Sequence, residues 1–164
     1  TTIIFNKSYL NIIISLLIVL LIFNFFSIVI MGDSGSYVLG LFFGYILINL
    51  SNQNLSISPI YIVNLLWYPA FENLFSILKK LRKNISVSRA DNSHLHHLIY
   101  LKINSLLPSS MFNNSITGLL INLFNLVVLS LATILSNHSF YLTLILIFNM
   151  VVYVSTYFIL VKKN

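Results

Sequence analysis

IIISLLIVLLIF, residues 12–23, decides the fold. A strand of a membrane barrel alternates apolar and polar side chains. This run does not alternate, so it reads as a buried helix. In a bilayer core every backbone polar group must be paired internally, and a helix does that within one segment. The rest of the chain agrees. Its 164 residues are 58% hydrophobic and 7% charged, with a mean hydropathy of +0.94. No soluble domain of this size hides that much apolar surface. The expected fold class is all-α, a polytopic helical bundle in a membrane.

A spanning helix needs about 20 mostly apolar residues. By that rule about five spans are expected, over residues 9–31, 36–51, 57–78, 112–136 and 139–161. Their connectors are GDSGS, SNQNLS, the long polar stretch 79–110, and SNHS. No internal repeat breaks the chain, so residues 1–164 read as a single membrane domain.

The formal net charge is +6. In a soluble protein that would suggest nucleic acid. Here the charges flank membrane segments, which points to topology and anionic headgroups and away from nucleic acid. Lys79, Lys80, Arg82, Lys83, Arg89 and Lys102 make residues 79–110 the cytoplasmic loop. GDSGS and the terminal Lys162-Lys163 then fall on the same side, and only Lys7 disagrees. There is no cysteine, so neither a disulfide nor a thiolate metal site is expected. The chain starts Thr1-Thr2 with no basic segment or cleavage site, so no signal peptide is expected.

Three acidic residues exist in the chain. Asp33 lies in VIMGDSGSYVLG, residues 29–40, at the seam of two apolar runs. A carboxylate at membrane depth is costly and is usually functional. Gly32 and Gly35 would let the backbone turn and approach a ligand. Ser34 and Ser36 would cap the next helix, whose N-terminus suits a phosphate or a metal-bound phosphate. A capping aspartate in a tight turn is the structural alternative. Gly40 and Gly44 form a G-x-x-x-G that predicts close helix packing. Such packing serves neighbours within one chain and a homodimer equally.

Glu72 follows Pro69 in WYPAFENLF, residues 67–75. Pro69 should kink the third span. Lys79 lies about 10 Å further along the helix, so Glu72 is expected to face another helix, a site or a loop cation. KKLRK, residues 79–83, reads as a membrane anchor that can also attract a phosphorylated substrate. SRADNSHLHHLIY, residues 88–100, places His94, His96 and His97 beside Arg89 and Asp91. Zinc ligation is one use, since His-x-His can place two rings on one side. Phosphate binding or acid–base work is the other. His138 stands alone in an outer loop. The intramembrane asparagines Asn24, Asn64, Asn122 and Asn125 are expected to bond across helices.

Taken in order, MGDSGSYVLG, ISPIYIVNLLWYPAFENLFSILKKLRK and ADNSHLHHLI resemble the polyprenyl-phosphate N-acetylhexosamine-1-phosphate transferases, the MraY/WecA family. The upstream FNFFSIVIMGD fits as well, with Asn24 where the family has an asparagine. The resemblance covers roughly residues 20–100, and HLHH looks closer to the WecA-type branch. It implies transfer of a sugar-1-phosphate, such as GlcNAc-1-phosphate, from a UDP-sugar to a polyprenyl phosphate with release of UMP. It implies the cytoplasmic face of a bacterial inner membrane, a Mg2+ ion (Mn2+ in its place) on Asp33, and His94, His96 and His97 lining the site. Asn24, Gly35, Ser36, Glu72, Arg89 and Asp91 are the implied substrate-binding residues.

The chain also departs from the family. Glu72 stands where an aspartate is common, Ala90-Asp91-Asn92 where Pro-Asp-Arg is common, and Ile28 and Val29 where a basic residue is common. The paired-aspartate and N-x-x-N-x-x-D motifs of earlier spans are absent. The expectation is therefore the C-terminal part of a longer transferase, inactive alone. The alternatives are a non-catalytic membrane module that binds a lipid phosphate or partner helices, and a small metal-handling transporter.

Overall fold

Pro69 has no N–H to donate and its ring crowds the carbonyl four residues back, which is that of Leu65. In the computed structural model the helix is interrupted there. α3 (Pro59–Leu65) ends and α4 (Trp67–Arg82) begins across Leu66. The expected kink is thus a full break, placed three residues before the proline. Pro69 itself lies in the first turn of α4, where the missing N–H leaves nothing unpaired. The Ala70 amide closes the junction by donating to the Leu66 carbonyl at 3.2 Å.

The structure describes residues 7–26, 28, 29, 32–84, 86, 94–108 and 112–163, with the side chains of 7–10, 33 and 163 outside the description. Among the described residues all regular structure is helical. α1 is Lys7–Phe25 and α2 is Asp33–Gln53. α5 is Leu95–Leu106, α6 is Phe112–Ile134 and α7 is Ser139–Lys163. Among the described residues three helices are long and apolar enough to cross a membrane, over Ser34–Gln53, Phe112–Ile134 and Ser139–Lys162, and the apolar Asn11–Phe25 is shorter. The protein is a helical protein of membrane character.

The chain forms two compact units, Thr1–Phe42 and Phe43–Asn164. The first holds α1 and the start of α2. In it, Ser36 lies within the first turn of α2 rather than capping it. Its hydroxyl and its amide both donate to the Gly32 carbonyl, at 3.3 and 3.1 Å. No described glycine has a positive φ, so the seam is built without a left-handed turn at Gly32.

The second unit is assembled around α7, which packs on α3, α5 and α6. Ser58 caps α3, accepting from the Ile60 amide at 3.2 Å. Its hydroxyl also meets that of Ser139 at 2.8 Å, and its amide donates to the Ser136 carbonyl at 2.9 Å. These bonds tie the start of α3 to the α6–α7 turn. Tyr61, Ala132 and Leu142 pack beside them. Fully buried Asn64 donates to the Leu142 carbonyl of α7 at 3.1 Å, an asparagine bond across helices as expected. Asn113 does the same between α6 and α5, donating to Asn104 at 2.9 Å. The main core joins Trp67, Leu95, Leu98, Val128, Tyr153, Tyr157 and Leu160. Within its own unit, a Cβ at either Gly40 or Gly44 would meet nothing within 4 Å. The predicted close packing is therefore not made inside either unit.

Candidate functional site

α4 is strongly two-faced, with its apolar side turned to α7. Phe71 and Phe75 meet the Tyr153 ring edge-on at 5.1 and 5.4 Å, and Phe75 meets Tyr157 at 4.9 Å. Further along, the Lys79 ammonium sits 5.5 Å from the Tyr157 ring, a cation–π contact. This packing buries Glu72, which keeps 7% of its surface exposed. A buried carboxylate needs compensating donors; Tyr68 of α4 and Tyr153 of α7 each direct a hydroxyl to it, and its nitrogen donors lie outside α4.

They come from α5, which lies inside the stretch expected to be a polar loop. His94 is the residue before its first turn, and its own side chain makes no cap. The Glu72 Oε1 atom takes that place, accepting from the Leu95 amide at 2.8 Å across 23 residues of chain. A carboxylate at a helix N-terminus is stabilised by about 0.3–1 kcal/mol. The same oxygen lies 3.2 Å from His94 Nδ1 and 3.7 Å from His96 Nδ1. The two imidazoles stack with centroids 5.4 Å apart and 15° between planes. One oxygen thus gathers an amide and two imidazoles. His96 is held above its ordinary value of 6.5 by its hydrogen bond to Glu72, against the opposing effect of burial, and the negative charge of Glu72 adds to the rise.

His97, one position on, stacks against Tyr100 at 6.3 Å. The structure therefore separates the triple, with His94 and His96 on the carboxylate and His97 on a tyrosine. His138 is exposed, as expected, and meets Tyr141 edge-on. Asp33 is the first residue of α2, in the other unit, with its side chain outside the description. Gly35 and Ser36 are in the same first turn, and Asn24 is near the end of α1. Arg89 and Asp91 lie outside the described residues.

Among the described residues no group of three or more His, Asp or Glu is arranged to hold a metal ion. Both Nδ1 atoms face one carboxylate oxygen. The site can instead hold a proton between carboxylate and imidazole, and it can present a cationic imidazole to an anion. Half-exposed His96 is the group best placed for the second task. Sequence reasoning missed α5 and the capping role of Glu72. The signal was present, since Leu95, Leu98, Ile99, Ile103 and Leu106 recur at helical spacing. No protein-family model, curated protein or solved structure matches the chain.

Proposed function

We propose that this chain is the C-terminal part of a WecA-type polyprenyl-phosphate N-acetylhexosamine-1-phosphate transferase. It moves GlcNAc-1-phosphate from a UDP-sugar to undecaprenyl or another polyprenyl phosphate and releases UMP. The observation that carries the reading is the junction of Glu72 with His94 and His96. Two motifs that the resemblance assigns to one site, far apart in the chain, meet through a buried carboxylate. The order of motifs over residues 20–100 supports it as well.

In this reading α1, α2, the α3–α4 pair, α6 and α7 make five spans. The stretch 79–110, with α5, faces the cytoplasm of a bacterial inner membrane. Lys79, Lys80, Arg82 and Lys83 close α4 with positive charge, which favours approach of diphosphate and lipid phosphate. Glu72 positions His94 and His96 by capping α5. His96, protonated more readily than a free imidazole, offers a charged donor to a phosphate oxygen or to departing UMP. Asp33 would give Mg2+ or Mn2+ one hard oxygen ligand, and the ion would neutralise diphosphate charge. The described residues do not by themselves make a magnesium site.

The test is UMP release from UDP-GlcNAc and undecaprenyl phosphate by the complete native protein in its membrane. Wild type should release UMP only when both substrates are present. Asp33→Asn should insert normally and release UMP at least about 100-fold more slowly, as for loss of one electrostatic contact to the transition state. No UMP from wild type, or an unchanged rate in the variant, would overturn the reading.

A further inference from the structure

The depth of α5 can be measured against the long elements of the second unit. At one end of that unit Ser58 opens α3, meets Ser139 at the start of α7 and donates to the Ser136 carbonyl after α6. These residues mark one level. Glu72 stands as far along the chain from Ser58 as Tyr153 does from Ser139, about 21 Å at the rise of a helix. The structure holds the two at the same level. Phe71 and Phe75, which flank Glu72 along α4, meet the Tyr153 ring at 5.1 and 5.4 Å.

Glu72 accepts from the Leu95 amide at 2.8 Å, so the first turn of α5 lies at this level. Its side chains agree. Leu95 and Leu98 share a core with Val128 and Tyr153, both well inside their own helices. The last turn of α5 lies elsewhere. Asn104 accepts from Asn113 at 2.9 Å, at the start of α6 and about 30 Å from the other end of that helix. From Leu95 to Asn104 α5 is about 14 Å long, enough to climb the difference of about 10 Å.

A hydrocarbon core is about 30 Å thick. With the polar turn SNHS, residues 136–139, at one boundary, the other falls close to Lys79 and Lys80 on α4 and just short of Lys162 on α7. Cations there mark a membrane surface. Glu72, Leu95 and His96 then lie about 10 Å inside the bilayer, and Asn104 lies at its surface. We propose that α5 is a re-entrant helix, which begins within the membrane beside Glu72 and leaves it at Asn104. Helix ends and ionisable groups are tolerated at such depth where protein or a water-filled cleft surrounds them. Glu72 supplies the cap on the Leu95 amide, and the core around Leu95 and Leu98 supplies the packing. The His96 side chain, 58% exposed, faces the polar side. An anion that meets His96 does so below the headgroups and beneath the basic end of α4. The inference rests on α6 and α7 crossing the bilayer and not on the transferase reaction.

The experiment is solid-state NMR of the complete native protein, 15N-labelled and sequentially assigned, in vesicles of phosphatidylethanolamine and phosphatidylglycerol. A fraction of the lipid carries a nitroxide midway down one acyl chain. Paramagnetic relaxation falls steeply with distance, so it orders amides by depth without any substitution. The His96 amide should be relaxed several-fold more strongly than the Asn104 amide at the other end of α5, and more strongly than that of His138 in the turn at the opposite surface. Relaxation at His96 equal to or weaker than that at Asn104 would place α5 flat on the surface or out in the cytoplasm, and would overturn the proposal. The readout needs no turnover, so its failure is distinct from failure of the transferase reading.

Discussion

Glu72 ties α4 to the start of α5. Its Oε1 atom caps α5 and receives two histidines. Removing it strands the buried Leu95 amide, which costs about 1–3 kcal/mol. Glu72→Ala should therefore lower unfolding stability by that amount in a denaturant titration. Glu72→Gln, whose amide oxygen still accepts from Leu95, should lose less. The pH dependence follows from His96. Its pKa is raised in the folded protein by the hydrogen bond to Glu72. The contact therefore stabilises fully below the ordinary value of 6.5 and is lost as pH rises through the raised value. Hydrogen exchange at the α5 amides should accelerate beyond its normal pH trend in that upper range, and Glu72→Gln should remove the excess. The sequence made Glu72 conspicuous because membrane carboxylates are rare, and it excluded Lys79 as an ideal partner. It could not supply the Leu95 amide, because a backbone group leaves no mark in a sequence.

At the scale of elements, the apolar runs were legible because they do not alternate, and α6 and α7 fall where hydropathy put them. Two elements were less legible. The third expected span is two helices, because Pro69 frees the Leu65 carbonyl and Leu66 absorbs the break. α5 was hidden among lysines and histidines, because its apolar face is narrow and its cap comes from another helix. Cross-helix amides were legible in kind and only partly in place. Asn64 bonds to α7, whereas Asn125 lines a groove on α6 with Asn122 and Thr133. Asn64→Leu removes the bond to the Leu142 carbonyl. It should destabilise the second unit by about 1 kcal/mol, the usual range for interhelical bonds in membrane bundles, as read from unfolding of the protein in mixed micelles.

At the scale of the molecule, a second unit built on α7 holds a carboxylate–histidine junction beside a basic helix end. The first unit carries Asp33 at the start of α2. The transferase reading assigns these parts to one reaction, with Glu72 setting the protonation of His96 and Asp33 holding the ion. The most direct measurement is the pH profile of UMP release by the complete native protein, wild type against Glu72→Gln. The account predicts release by both. The limb governed by His96 should move to lower pH in the variant, because the hydrogen bond that raises the imidazole is weakened. Superimposable profiles would contradict the account, and so would the absence of UMP release from wild type.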